Sequence, residues 1–74
     1  MNSTRDEKLL GQFGKRLKQL RTEQKLSQEQ LAAEADLQLS QIGRIERGEI
    51  NTTISTVKVL STALGVPISE LFKF

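Results

Sequence analysis

Apolar residues in this chain recur at intervals of three and four, and no stretch alternates them cleanly with polar residues. Leu10, Phe13, Leu17 and Leu20 show this spacing first, which places their side chains on one face of a helix. No Asn-Gly or similar turn pair joins two strand-like runs. The pattern restricts the chain to helices, and its 74 residues leave room for one small domain.

Capping and stop residues divide the chain into five predicted helices. Ser27 and Gln30 form a capping box at the start of the second helix, and Thr53 caps the fourth. Gly48 and Gly65 end the third and fourth helices. The predicted helices cover residues 9–25, 28–35, 39–47, 54–64 and 67–72.

Residues 1–8 are expected to form an N-terminal extension to a domain that covers residues 9–74. Thr4 and Glu7 form a further capping-box pattern, from which the first helix can begin near Arg5. Gly11 and Gly14 each weaken that extension by about 1 kcal/mol.

The inward-facing residues of the fourth helix are predicted to be Ile54, Val57, Leu60, Ala63 and Leu64.

Composition argues against several classes of function. The chain has no Cys and no His, so it lacks a thiolate nucleophile, a disulfide framework, the usual general base and the commonest metal ligand. Its pairs of acids have no calcium-loop spacing. We therefore expect a non-enzymatic protein without metal, cofactor or small-molecule ligand. The longest apolar run is too short for a membrane span or a signal peptide, so a cytoplasmic protein without a membrane partner is expected.

Positive charge is concentrated at the beginning of the chain. Residues 1–26 carry seven Lys and Arg against three acids, whereas residues 27–74 carry four against six. A basic segment favours an anionic partner, such as nucleic acid or an acidic membrane surface. Charge alone leaves open the alternative that these residues only form a solvated helix face.

Residues 28–47 place two short helices on either side of a three-residue turn, Asp36-Leu37-Gln38. Ala32 is small where the second of these helices must cross closely. This spacing is typical of a helix-turn-helix, although a generic helical bundle has a similar pattern. In a helix-turn-helix one helix enters a DNA major groove and the other lies across the backbone.

Three runs carry a specific resemblance. LSQEQLAAEADLQLSQIGRIERGE, followed by NTTISTV and ALGVPISEL, resembles the phage-repressor-like helix-turn-helix family of the Cro/Xre type. The resemblance covers about residues 9–72. It implies an all-α, compact, five-helix lambda-repressor-like domain that binds double-stranded DNA as a small transcriptional regulator, with the third helix in the major groove. The alternative is a protein-interaction module, an adaptor or antitoxin-like partner on the same scaffold. The polar outer face of the third helix favours DNA.

The resemblance also implies roles for individual residues. Arg21 and Glu46 occupy positions that form a partly buried salt bridge in this family. Arg47, a cation at the end of the third helix, is a further candidate for phosphate contact or for complementing the helix dipole. The predicted base-contacting residues are Gln38, Leu39, Ser40, Gln41 and Arg44. The predicted phosphate-contacting residues are Gln28, Arg47, Asn51, Thr52 and Thr53.

The chain departs from the family pattern at five positions. Asp36 replaces a usual Gly, which implies turn strain, and Gln38 replaces a usual Ser or Thr cap. Gly43 weakens the third helix, and Thr52 replaces a common Pro. Leu39 replaces a polar residue, but it can contact a thymine methyl group.

A homodimer is expected because one helix-turn-helix reads only a few base pairs. The first four helices use most of their apolar residues in the core. Large apolar residues remain at the C-terminal end, and the predicted dimer surface consists of Ile68, Leu71, Phe72 and Phe74. In the alternative arrangement Leu71 and Phe72 cover the core and Phe74 is exposed.

Overall fold

The computed structural model describes residues 5–74, which form four α-helices followed by a short 3-10 helix. The described residues contain no strand, so the all-helical prediction is confirmed. The fifth element differs from the prediction, since it is a 3-10 helix that starts after Pro67. The elements are α1 (Glu7–Glu23), α2 (Gln28–Ala35), α3 (Leu39–Glu46), α4 (Ile54–Leu64) and the terminal 3-10 helix (Ile68–Phe72).

No helix among residues 5–74 is long and apolar enough to cross a membrane.

Helix α1 begins inside the predicted extension. The predicted cap Thr4 lies outside the described residues. Asp6 is the observed N-cap, and its carboxylate accepts a hydrogen bond from the Leu9 N–H at 3.0 Å. The negative side chain also complements the positive end of the helix dipole.

Helix α1 ends at Glu23, two residues earlier than predicted. Lys25 adopts a left-handed conformation with φ +59°, and the Leu26 N–H donates to the Arg21 carbonyl at 3.1 Å. No Gly or Asn follows the last turn to indicate the end of the helix. The prediction, which relied on apolar spacing, was therefore too long.

The start of α2 follows its prediction. Ser27 Oγ accepts from the Gln30 N–H at 3.0 Å, and Gln30 Oε1 accepts from the Ser27 N–H at 2.8 Å. The turn into α3 places Asp36 in the left-handed region, with φ +55° and ψ +43°. The left-handed conformation is unfavourable for most L-residues, but Asn and Asp tolerate it better than the others. This explains how the turn forms with Asp36 in place of the usual glycine.

The core lies where α1, α2, α3 and α4 meet, and the terminal 3-10 helix covers α1 and α4. The most deeply buried large side chains of the core are Leu17, Leu31, Ile42, Ile45, Leu60 and Leu71. Ile54 was predicted to face inward, and this is wrong, because 85% of the residue is exposed. It has the correct spacing, but it is the first residue of α4 and lies beyond the edge of the packed core.

Two glycines allow α3 to pack directly on the α1 backbone. A Cβ atom at Gly14 would lie 2.4 Å from the carbonyl oxygen of Ile45 and 2.5 Å from that of Glu46. At the end of α3, Gly48 adopts φ +72°, and a Cβ atom there would lie 3.0 Å from the Gly11 backbone. Gly14, which weakens α1 as an isolated helix, therefore permits a close tertiary contact with α3.

The terminal 3-10 helix is fixed to α1. Arg16 Nε donates to the Glu70 carbonyl at 2.7 Å, and its guanidinium also pairs with the Glu70 carboxylate at 3.2 Å. Leu71 is fully buried. The prediction that Leu71 belongs to a dimer surface is therefore wrong, because this side chain completes the core of its own domain.

Candidate nucleic-acid interface

Helix α3 has one buried face and one exposed face. Ile42 and Ile45 are at most 2% exposed and anchor the helix in the core. The predicted base-contacting residues lie on the other side. Gln41 is half-buried, and the exposed residues are Gln38, Leu39, Ser40 and Arg44. The structure thus brings the predicted set together on one solvent-facing surface.

The N-terminal end of α3 lacks a side-chain cap. Gln38 is the N-cap, but its side chain makes no capping hydrogen bond. Arg44, which is exposed in the last turn of α3, forms no ion pair with any residue from 5 to 74. Its guanidinium donors are therefore available to an external acceptor.

The C-terminal end of α3 is held by a buried ion pair between Arg21 and Glu46. Arg21 Nε lies 2.6 Å from Glu46 Oε2, and a second guanidinium nitrogen lies 3.0 Å from Oε1. The two side chains are only 9% and 3% exposed. The hydrogen bond to Glu46 raises the pKa of Arg21. This two-point contact joins α1 to α3 and fixes the direction of the exposed face.

Gln28 extends this buried pair into α2. Its side-chain nitrogen donates to Glu46 Oε1 at 3.0 Å. The prediction gave Gln28 a phosphate contact, whereas the structure uses this nitrogen inside the protein. As the first residue of α2, Gln28 still carries a backbone N–H at a helix N-terminus, where an anion is favoured.

The segment after α3 contains the remaining predicted phosphate residues. Arg47 pairs with Glu49 at 2.6 Å, and both side chains are at least half exposed. Their hydrogen bond raises the pKa of Arg47 and lowers the pKa of Glu49. Thr53 caps α4 by accepting from the Thr56 N–H at 3.1 Å. Asn51 is exposed and lies between these two groups.

Thr52 is half-buried beside Asn51, on the rim of an apolar groove. The groove is lined by side chains from α1, α3, α4 and the terminal 3-10 helix. Leu9, Ile54 and Phe72 stand partly exposed along it. Residues 5–74 contain no cluster of acidic side chains suited to a metal ion.

Sequence reasoning missed Arg5 as part of this surface. Arg5 donates to the Glu49 carbonyl at 2.8 Å and pairs with the Glu7 carboxylate. This contact brings the start of the chain to the segment after α3. The excess of basic residues before residue 27 was the only sequence signal, and it did not single out Arg5.

The fold and this surface define a helix-turn-helix protein. A family model described as helix-turn-helix matches residues 17–71, and the chain belongs to that family. This confirms the resemblance drawn from the sequence.

Relatives define the relationship further. The chain is 41% identical over 58 residues to an immunity repressor protein of Bacillus phage phi105, covering 78% of this chain but only 40% of the repressor. The restriction-modification controller protein C.AhdI of Aeromonas hydrophila is 44% identical with a TM-score of 0.84, over 85% of this chain and 96% of that one. The controller C.Esp1396I, solved as a tetramer on its natural 35-base-pair operator, is 29% identical with a TM-score of 0.79, over 92% and 100%.

Proposed function

We propose that this protein is a cytoplasmic transcriptional regulator that binds double-stranded DNA at specific sequences. In the complex, α3 lies in the major groove. The observation that carries the proposal is the exposed face of α3, where Ser40 and Arg44 lie one helical turn apart on a helix whose back is fully packed. Because the opposite face of α3 is packed in the core, its exposed side chains keep a fixed orientation in which they can contact base edges.

The residues divide into those that read bases and those that position the protein. Arg44 suits guanine, because a guanidinium donates two parallel hydrogen bonds to O6 and N7. Leu39, 46% exposed, suits a thymine methyl group. Asn51 and the α2 N-terminus suit phosphates, which fix orientation but carry no sequence information. The relatives support DNA binding itself, since they include a phage immunity repressor and a controller solved on its operator.

A selection of bound sequences from a random duplex pool tests this function directly. Arg44→Ala should weaken binding to the selected sequence by about 1–3 kcal/mol and change binding to random duplex little. Arg44→Lys is the matched control, because it keeps the charge but loses the two-point contact. An equal loss on both kinds of DNA would assign Arg44 to phosphate instead.

We further propose that the protein acts as a homodimer. Ile68, Phe72 and Phe74 retain exposure at the C-terminal end, at 37%, 44% and 52%. Phe72 borders the apolar groove, where Leu9 and Ile54 extend the exposed apolar area. Contiguous exposed apolar surface of this kind marks interaction sites, and a two-fold pair would double the base contacts.

Sedimentation of variants tests the dimer. Ile54→Asp should shift the protein toward monomer, because it places a charge at the most exposed apolar position of this surface. Val59→Asp is the control, since Val59 is an exposed apolar residue of α4 that does not line the groove. Equal behaviour of the two variants would remove the groove from the interface.

A further inference from the structure

Glu49 is a carboxylate paired with Arg47 next to the proposed DNA surface. Arg47 Nε lies 2.6 Å from Glu49 Oε2, and a second nitrogen of Arg47 lies 3.5 Å from Oε1. Arg5 donates to the backbone carbonyl of Glu49 at 2.8 Å. The positive charge of Arg44 also acts on this carboxylate. Arg47 thus binds the carboxylate of Glu49, and Arg5, from the first helix's N-terminal side, binds its backbone.

The backbone of Glu49 is fixed while its side chain is accessible. Its N–H donates to the Arg44 carbonyl at 2.9 Å, directly after the end of α3. The side chains of Arg47 and Glu49 are 59% and 50% exposed. An external anion can therefore reach Arg47 without any rearrangement of the fold.

A carboxylate and a phosphate present similar acceptors to a guanidinium. Each offers two oxygens to the parallel N–H donors of arginine. Arg44 and Arg47 differ in whether an acid already occupies the guanidinium. Arg44 pairs with no acid among residues 5–74, whereas Arg47 already holds an anion.

We propose that Glu49 occupies, in the free protein, the place on Arg47 that a DNA phosphate takes in the complex. Glu49 is thus an internal competitor that weakens sequence-independent binding, and DNA must displace it. This inference rests on the proposed function, since it identifies what opposes DNA binding at the same surface. Glu49 would therefore affect the affinity for DNA although it contacts neither a base nor a phosphate.

Removing the competitor should strengthen binding to DNA of any sequence. Since exposed ion pairs are weak, Glu49→Gln should bind a random-sequence duplex about two- to fivefold more tightly. The plot of log affinity against log salt should keep nearly the same slope, because Arg47 reaches the same phosphate in both complexes and releases the same counterion.

A double-mutant cycle separates exchange from simple repulsion. Binding of a labelled random-sequence duplex is measured across salt concentrations for the unmodified protein, Glu49→Gln, Arg47→Ala and the double variant. The gain from Glu49→Gln should disappear when Arg47 is Ala. Glu34→Gln is the charge-matched control, because Glu34 is exposed and forms no ion pair with any residue from 5 to 74.

Each outcome has one meaning. If the Glu49→Gln gain persists in the Arg47→Ala background, or if Glu34→Gln gives the same gain, then Glu49 acts only through net charge and the exchange is refuted. If no variant binds duplex DNA, the proposed function itself fails and the exchange fails with it. If duplex DNA is bound and the Glu49→Gln gain appears only when Arg47 is present, the exchange is established, together with the DNA binding on which it rests.

Discussion

The two ends of α3 are held in opposite ways. At the C-terminal end, Glu46 is buried, paired with Arg21 and bonded to Gln28, and the backbone rests directly on Gly14. At the N-terminal end, Gln38 provides no side-chain cap, and the first residues of the helix are exposed. Eight residues are too few for a stable isolated helix, so core packing of Ile42 and Ile45 together with the C-terminal contacts must hold α3.

This difference separates the residues that position α3 from those that can bind a ligand. The buried polar groups at the C-terminal end are satisfied inside the protein, and no buried side-chain polar atom among residues 5–74 lacks a partner. Donors at the N-terminal end and on Arg44 are left for an external acceptor. Mutations of the buried residues at the C-terminal end should therefore act on folding, and mutations at the N-terminal end or at Arg44 on binding.

The largest expected effect is at the C-terminal end, with Arg21→Ala. This variant leaves the Glu46 carboxylate buried and without its ion-pair partner. It should cost about 3 kcal/mol, near the lower limit for breaking a buried pair, because Arg21 keeps some exposure. Thermal or urea unfolding measures the loss, with Lys18→Ala as an exposed control on the same helix.

Arg21→Lys distinguishes charge from geometry in this pair. It keeps the positive charge but cannot donate through two parallel N–H groups. We expect intermediate stability. If Arg21→Ala and Lys18→Ala have the same midpoint, the C-terminal end of α3 does not depend on the ion pair.

A second, smaller effect is expected for Gly14→Ala. The added Cβ would meet backbone carbonyls at 2.4 Å and 2.5 Å, which cannot move without separating α1 from α3. Overpacking of this kind costs about 1–3 kcal/mol. Gly11→Ala is the matched control three residues away, because a Cβ atom there meets nothing within 4 Å.

The two alanine variants should change stability in opposite directions. Gly11→Ala should stabilise α1, by up to about 1 kcal/mol, since alanine is the better helix former. A destabilised Gly11→Ala together with an unaffected Gly14→Ala would contradict the observed contact between α1 and α3.

The N-terminal end of α3 was more predictable from sequence than its C-terminal end. Spacing placed Ile42 and Ile45 inward, and the opposite residues were then necessarily exposed. The Arg21–Glu46 pair was implied by the family resemblance and by nothing in the local pattern. The bond from Gln28 to Glu46 was missed, because its partners lie 18 residues apart and meet only after folding.

Glycines show the same limit of local reasoning. Propensity treats Gly14 as a weak point in α1, which is correct for an isolated helix. Its tertiary role depends on the crossing distance between α1 and α3, which no local pattern contains. Ile54 shows the converse case, since periodicity predicts the face of a helix but not how far along it the core extends.

The smallest expected effect lies at the N-terminal end, with Gln38→Ser. Gln38 already has the extended N-cap conformation, φ −77° and ψ +145°, and Gln41 stands three residues on. A serine at position 38 would therefore reproduce the capping box that Ser27 and Gln30 form in α2. The gain should be about 1 kcal/mol, which raises the thermal midpoint of a domain this size by roughly 4–8 °C.

Gln38→Ala controls for the lost amide, because it removes the same side chain without supplying a cap. Both variants should weaken binding to the selected DNA sequence if Gln38 reaches the bases, yet only Gln38→Ser should raise the midpoint. That result would show that a stabilising cap is compatible with the fold and opposed only by binding. If Gln38→Ser leaves the midpoint unchanged, the missing cap does not limit stability, and the contrast between the two ends of α3 rests on the buried pair alone.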